Sequence, residues 1–284
     1  MAKETIAVIG LGTMGSQIGI VFARAGFTTF VFDQDHDRLE QGRKKVRDFL
    51  EQQVSKGKMA AELRDQTLAN LQAVFELEAA VGEADLVVEA VFEDIGVKRE
   101  LFAQMDRLAR PETILASNTS TLSITEIAGA TQSPERCIGA HFLIPAGLTP
   151  LVEVTRGLLT SDATHDRLVA LLKAAGKDTV TVNDAPGFVI NRLYIPLLNE
   201  AFFALEEGVA SAEDIDKACA KGLGFPLGPL AASDASGLDV VLACVESLHR
   251  QLGDKHRPAP LLVKLVRAGR LGRKTGRGVY EYKR

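Results

Sequence analysis

The sequence predicts an α/β protein in two parts: an N-terminal, mainly parallel sheet with a projecting helical hairpin, then an all-helical domain. Three observations predict it. Apolar runs alternate with helix-like segments through residue 183, the pattern of a parallel sheet covered on both faces. A long charged stretch between Asp35 and Asn70 keeps helical spacing but breaks at Gly57. After Asn183-Asp184-Ala185-Pro186-Gly187 the strand signals stop. The domains are therefore read as residues 1–183 and 184–284.

Taken in order, Ile6-Ala-Val-Ile9 is the first strand, and Ile18 to Ala25 repeats at helical intervals. Thr28 to Phe32, rich in β-branched and aromatic residues, is the second strand and ends at Asp33. Leu39, Val46, Leu50 and Val54 mark one arm of the hairpin. Leu86 to Val91 is a strand, Val97 to Leu108 a helix, and Ile114 to Ala116 a strand. Ser123-Ile-Thr-Glu126 has the form of a capping box. Cys137 to His141, Leu151 to Thr155 and Thr179 to Val182 complete the strands. The second domain begins with one long helix, Val189 to Glu207. Another helix is capped at Ser211-Ala-Glu-Asp214, and further ones lie near Leu238 to Leu252 and Pro260 to Ala268.

Composition narrows the function. A chain of 284 residues, 46% hydrophobic and 25% charged, can bury a large core and is not a disordered protein. Its formal charge of −4 leaves no general footprint for nucleic acid. Cys137, Cys219 and Cys244 are odd in number and widely spaced, so buried reduced thiols are expected, with neither disulfides nor a metal site. The opening, Met1 to Thr5, is short and charged, and no apolar run suits a membrane span, so a cytoplasmic protein is expected.

Between the first strand and its helix stands Gly10-Leu11-Gly12-Thr13-Met14-Gly15. In that context the first glycine permits a tight turn, and the second lets the backbone approach a pyrophosphate. The third allows close packing of helix on strand, and the helix N-terminus faces the phosphates. Asp33 ends the second strand, where a carboxylate accepts hydrogen bonds from ribose hydroxyls and repels a 2′-phosphate. Gln34 and Asp35 follow, with no arginine adjacent, so the cofactor expected on this Rossmann-type unit is NAD rather than NADP.

A wider set of motifs follows in order: Leu86-Val-Val-Glu-Ala-Val-Phe-Glu-Asp94, Ala116-Ser-Asn-Thr-Ser120, Gly139-Ala-His-Phe142 and Leu151-Val-Glu-Val154. Pro186-Gly-Phe-Val-Ile-Asn-Arg192, Gly228-Pro229 and Gly272-Arg-Lys-Thr-Gly-Arg-Gly-Val-Tyr280 complete it. With the glycine turn, these motifs resemble the 3-hydroxyacyl-CoA dehydrogenase family, of the short-chain 3-hydroxybutyryl-CoA type, across nearly the whole chain. The resemblance implies NAD-dependent oxidation of a secondary alcohol, with His141 and Glu153 as a proton-transfer pair. It implies that Ser120 and Asn191 bond the reacting oxygen, Ser120 also touching the nicotinamide region. Glu93 and Lys98 are implied near the nicotinamide ribose, and Lys274 in the tail. Each of these charges, taken alone, suits a solvated surface. The hairpin turn, Ser55-Lys56-Gly57-Lys58, is implied at the phosphate end of CoA. A homodimer paired through the helical domain is also implied.

One segment departs from the family pattern. Where the family has asparagine before proline, three residues after the histidine, this chain has Ile144-Pro145, followed by Ala-Gly-Leu-Thr-Pro150. Isoleucine offers no hydrogen bond. The departure keeps two other readings open: a dehydrogenase of a free 3-hydroxy acid or polyol, as L-gulonate and carnitine dehydrogenases are, or a non-catalytic NAD-binding structural protein.

Overall fold

The computed structural model describes residues 4–282, so Met1–Lys3 of the charged opening lie outside the described residues. Two compact units divide the chain, Met1–Ala185 and Pro186–Arg284.

The first unit is built on eight strands: β1 Thr5–Ile9, β2 Thr28–Phe32, β3 Leu71–Ala73, β4 Leu86–Glu89, β5 Ile114–Ser117, β6 Cys137–Phe142, β7 Leu151–Arg156 and β8 Asp178–Asn183. They form one sheet in the order β3-β2-β1-β4-β5-β6-β7-β8. From β3 to β6 all neighbours are parallel, β6 and β7 are antiparallel, and β7 and β8 are parallel. The chain winds outward from β1 to β3, then returns to place β4 on the other side of β1. That reversal opens a crevice beyond the carboxyl ends of β1 and β4, where open α/β sheets take ligands.

Alternation along each strand supplies two cores, because successive side chains point to opposite faces. Ile6, Val8, Leu86 and Val88 join helix α1 (Thr13–Arg24) through Ile18, Val21 and Phe22, and helix α7 (Asp162–Ala174) through Leu168, Leu171 and Leu172. Ala7, Ile9, Val87 and Leu115 face the other way, against α4 (Leu77–Val81), α5 (Ile95–Leu108) and α6 (Ile124–Ala128). The strands read as unbroken apolar runs because both faces are covered.

The hairpin is present as α2 (His36–Ser55) and α3 (Ala61–Asn70). It packs on the outer side of α1, with Val46 and Leu50 against Ile20, and leaves its turn in solvent. Gly57 is left-handed there, at φ +67°. Ser123 caps α6 by accepting the Glu126 amide, as expected, but the other donors of that helix end go to Asp184. Strands β3 and helices α4 and α7 have no counterpart among the expected elements. The expected strand from Leu86 to Val91 stops at Glu89.

The second unit holds α8 (Ile190–Glu206), α9 (Ala212–Gly222), α10 (Pro229–Ser236), α11 (Leu238–Leu252) and α12 (Pro260–Arg267) around Leu198, Phe202, Leu230, Val241, Val245 and Leu262. Helix α8 runs through Pro196 without a break. Ser211 caps α9 by accepting the Asp214 amide. Two buried carboxylates close the unit. Asp216 accepts the Leu230 and Ala231 amides and the Tyr280 hydroxyl. Asp234 accepts the Val279 and Tyr280 amides. Of the three cysteines, Cys137 is buried, whereas Cys219 and Cys244 are part-exposed, contrary to the expectation for all three.

The glycine turn is the tightest point of the first unit: a Cβ on Gly15 would stand 1.7 Å from the Gly10 carbonyl oxygen. Backbone cannot yield there, so Gly15→Ala should cost about 1–3 kcal/mol, typical of overpacking. A thermal melt should show a fall of roughly 2–10 °C together with loss of dinucleotide binding. An unchanged melt would mean that the turn is not closed as described.

Candidate active site

The crevice at the switch point is a cleft of about 590 Å³, walled by the glycine turn, Asp33, Gln34, Arg38, Ala90 and Phe92 among others. Gly10 has φ +92°, and a Cβ there would meet the Ala90 carbonyl at 2.8 Å. Nothing stands within 4 Å of a Cβ built on Gly12, so that face of the turn is open to a ligand. Leu11, Thr13 and Met14 complete the turn, and Leu11 and Thr13 line the cleft. Asp33 Oδ2 accepts the Leu11 amide at 2.9 Å, and Oδ1 accepts the Asp35 amide at 3.1 Å. Each carboxylate oxygen keeps a further lone pair for ribose hydroxyls. The group thus holds the turn and faces the cleft. An open helix N-terminus, a bare glycine backbone and a ribose-facing carboxylate fit a dinucleotide. Although no arginine adjoins Asp33 in the sequence, one turn of α2 brings Arg38 to the cleft wall, where it pairs with Asp35 at 3.5 Å.

Next along the crevice, β4 and β5 end in register, Glu89 opposite Ser117. Glu89 is fully buried and takes three donors: the Val91 amide at 2.7 Å, Lys98 Nζ at 2.6 Å and the Ser117 hydroxyl at 2.7 Å. Lys98, only 1% exposed, also lies 3.3 Å from Glu93. The surface role that its local sequence suits is therefore excluded, and its ammonium is the buried counter-ion of two carboxylates. Glu93 Oε1 in turn accepts the Thr119 hydroxyl at 2.6 Å and the Ser120 amide at 2.9 Å, with the Ser120 hydroxyl at 3.3 Å. Burial pushes the Glu89 carboxyl up, against the pull of Lys98 and the Ser117 and Val91 donors. Burial works the same way on Glu93, but there Lys98, Thr119 and Ser120 outweigh it and hold the carboxyl below its ordinary range.

Beyond β5 stands β6, and its antiparallel partner β7 is registered so that His141 lies opposite Glu153. Directly opposed residues on such a pair share one face with Cβ atoms about 5 Å apart. Here His141 Nδ1 is 2.7 Å from Glu153 Oε2, and both groups are buried, Glu153 completely. A neutral ring donating from Nδ1 to the carboxylate has Nε2 as its basic nitrogen. The Asn118 amide oxygen accepts the Phe142 amide at 2.9 Å and so ties the end of β5 to the end of β6.

The remaining candidates belong to other elements. Ser55, Lys56 and Lys58 stand on the exposed hairpin turn, where the Ser55 hydroxyl donates to the Gln52 carbonyl. Asn191 is the second residue of α8 in the second unit. Lys274 belongs to that unit also, and its ammonium lies 2.5 Å from Asp239. Among the described residues, no helix is long and apolar enough to cross a membrane. Glu89, Asn118 and Thr119 lie inside the motifs above but have no role assigned there. Each was visible only as a polar residue at a strand end, and its partner is distant in sequence.

Fold and crevice together define a dinucleotide-dependent dehydrogenase-type protein with a histidine and a glutamate paired across β6 and β7. Comparison with known proteins makes this specific. Residues 5–185 match the NAD binding domain of 3-hydroxyacyl-CoA dehydrogenase, and residues 187–282 match its C-terminal domain. A probable 3-hydroxybutyryl-CoA dehydrogenase of Bacillus subtilis is 45% identical over 99% of this chain and 98% of its own. The 3-hydroxybutyryl-CoA dehydrogenase of Bradyrhizobium diazoefficiens is 43% identical over 99% and 96%. A crystal structure of (S)-3-hydroxybutyryl-CoA dehydrogenase from Ralstonia eutropha superposes with TM-score 0.95 at 40% identity, covering 99% of this chain and all of the other. The chain belongs to the 3-hydroxyacyl-CoA dehydrogenase family, and NAD is its cofactor.

Lys98→Met should destabilise the first unit by about 3–5 kcal/mol, because it strands the buried Glu89 carboxylate without a counter-ion. Adding Glu89→Gln should recover part of that loss in urea unfolding. Equal instability of the single and double variants would show that the charge pairing is not what the fold depends on here.

Proposed function

We propose that the chain interconverts a short-chain 3-hydroxyacyl-CoA and its 3-oxoacyl-CoA by hydride transfer, with His141 and Glu153 handling the proton. The 2.7 Å pairing of these two side chains beside the dinucleotide crevice carries the reading. NAD, bound along the glycine turn and Asp33, supplies the hydride acceptor. Glu93 and Lys98 serve that cofactor from the nicotinamide end, Lys98 by fixing Glu93, and Lys274 serves it from the second unit. In the oxidative direction, Nε2 of His141 removes the proton of the substrate hydroxyl. Glu153 then balances the imidazolium and keeps the ring in one tautomer. The Ser120 hydroxyl both donates and accepts, which suits an oxygen passing between alcohol and carbonyl. Asn191 adds a second bond to that oxygen.

Ser55, Lys56 and Lys58 bind CoA phosphates by charge. The hairpin that carries them also reaches the loop after His141: a Cβ on Gly147 would lie 3.6 Å from the Phe49 ring. Seven residues of helix, about 10 Å, separate Phe49 from Lys56. A thioester can therefore run along the hairpin, with its phosphates at the turn and its acyl group near His141. A homodimer forms through the second unit, which exposes Leu193, Val209 and Leu223. The cytoplasm is the compartment of such an enzyme. A free 3-hydroxy acid or polyol is the second reading, favoured by Ile144, since its loop lacks the family's asparagine.

His141→Gln should lower kcat by about a hundredfold or more, the usual scale of a lost general base. Near-normal turnover would remove His141 from that role. Replacing Lys56 and Lys58 together by alanine should raise KM for acetoacetyl-CoA and leave KM for NADH unchanged. Faster NADH oxidation with free acetoacetate than with its CoA thioester would favour the second reading.

A further inference from the structure

The loop from Leu143 to Pro150 joins the His141 strand to the Glu153 strand, so any substrate that reaches His141 lies beside it. Its outer side chains are apolar and open: Ile144 is 69% exposed and Leu148 60%. Its inner side is held from three directions. Ala146 is buried in the core, and its amide donates to Gln17 Oε1 of α1 at 2.6 Å. Gly147 faces Phe49 of α2. On the third side, the Lys177 ammonium donates to the Ala146 carbonyl at 2.6 Å and to the Thr149 carbonyl at 2.7 Å. Lys177 arrives there because Gly176, left-handed at φ +76°, ends α7 and turns the chain inward ahead of β8.

Lys177 is only 7% exposed, and its hydrogen-bond partners are carbonyls rather than carboxylates. Burying an ammonium without a counter-ion is costly, and the two loop carbonyls it holds are what offset that cost. Desolvation, with Arg24 adding to it, lowers its pKa, as such burial should. The proton-transfer path does not use this group.

We propose that Lys177 is a positioning residue that staples the 143–150 loop, so that Ile144 and Leu148 stand as a fixed apolar lip against the acyl chain. The inference rests on the thioester reading above. Lys177 does not touch the reacting atoms; it acts through the loop. It therefore governs how well substrate binds, while His141 and Glu153, set by strand pairing, keep their geometry.

Lys177→Met keeps the stem and removes the donors. KM for acetoacetyl-CoA should rise about tenfold, the size of one hydrogen bond, with kcat changed less than about threefold and KM for NADH unchanged. In hydrogen–deuterium exchange, the Leu148 and Thr149 amides, both bonded to the Pro145 carbonyl, should exchange at least about tenfold faster, with β6 and β7 unaltered. Unchanged loop exchange would overturn the proposal, as would an equal fall in kcat and in affinity for both substrates. Should Lys177→Met fail to fold, Gln17→Leu removes the opposite staple and is judged by the same pattern. A wild-type enzyme inert toward acetoacetyl-CoA would sink the thioester reading alone, because the exchange experiment still decides the role of Lys177.

Discussion

The site depends on one strand register. In a sheet whose other neighbours are all parallel, β6 and β7 pair antiparallel, and this juxtaposition sets His141 across from Glu153. A slip of one residue would send the carboxylate to the opposite face and leave the ring without its partner. What prevents the slip is the other face of the same two strands. Ala140, Phe142, Val152 and Val154 are buried there in the core shared with α7, and a slip would bring charged or polar groups into it. The hydrophobic effect thus sets a 2.7 Å polar contact. On that polar face, Gly139 opposite Thr155 leaves room for the Ile124 side chain of α6, since a Cβ there would stand 2.8 Å from the threonine and 3.0 Å from the isoleucine.

Around this register the unit places its charges in two different ways. At the ends of β4 and β5, buried charge is matched by charge: Glu89 and Glu93 enclose Lys98, and the hydroxyls of Ser117 and Thr119 donate to those carboxylates beside backbone amides. Such a cluster gains little net stability over an apolar one, yet it allows few arrangements, which suits the support of a residue such as Ser120. At the loop after β6, one ammonium is matched only by carbonyl dipoles. The first arrangement fixes side chains, and the second fixes main chain. Neither reads as a motif, because each depends on groups that approach only after the sheet has formed.

That difference explains what was legible in the sequence. Strands buried on both faces announced themselves as apolar runs, and the glycine turn was legible because strand, turn and helix are contiguous. The link between His141 and Glu153 was implied by the family resemblance, and only 12 residues separate the two. By contrast, Ser117 lies 28 residues from Glu89, Lys177 lies 31 from Ala146, and Gln17 lies 129 from it. Arg38 reaches the cleft wall through one helical turn, which sequence adjacency to Asp33 does not reveal. Strand β3 has three residues and no pattern to read, and α7 hides its face among three leucines, at 168, 171 and 172. The glycines of the tail motif have a packing reason that the motif alone conceals: a Cβ on Gly272 would meet the Asp234 carbonyl at 2.2 Å, and one on Gly278 its carboxylate at 1.9 Å.

The departure at Ile144 takes its meaning from this division. The loop that carries it hangs between two strands whose pairing does not involve it, and its attachment runs through Gln17, Phe49 and Lys177 instead. Residues on its outer side can therefore change without disturbing the histidine or its glutamate. An asparagine at position 144 would add a polar group to a lip that is otherwise apolar, and the strand register beneath would be untouched. Substrate range and proton transfer are in this sense separable properties of the fold. On the readings proposed above, the first is written on a stapled loop, and the second in the pairing of β6 with β7.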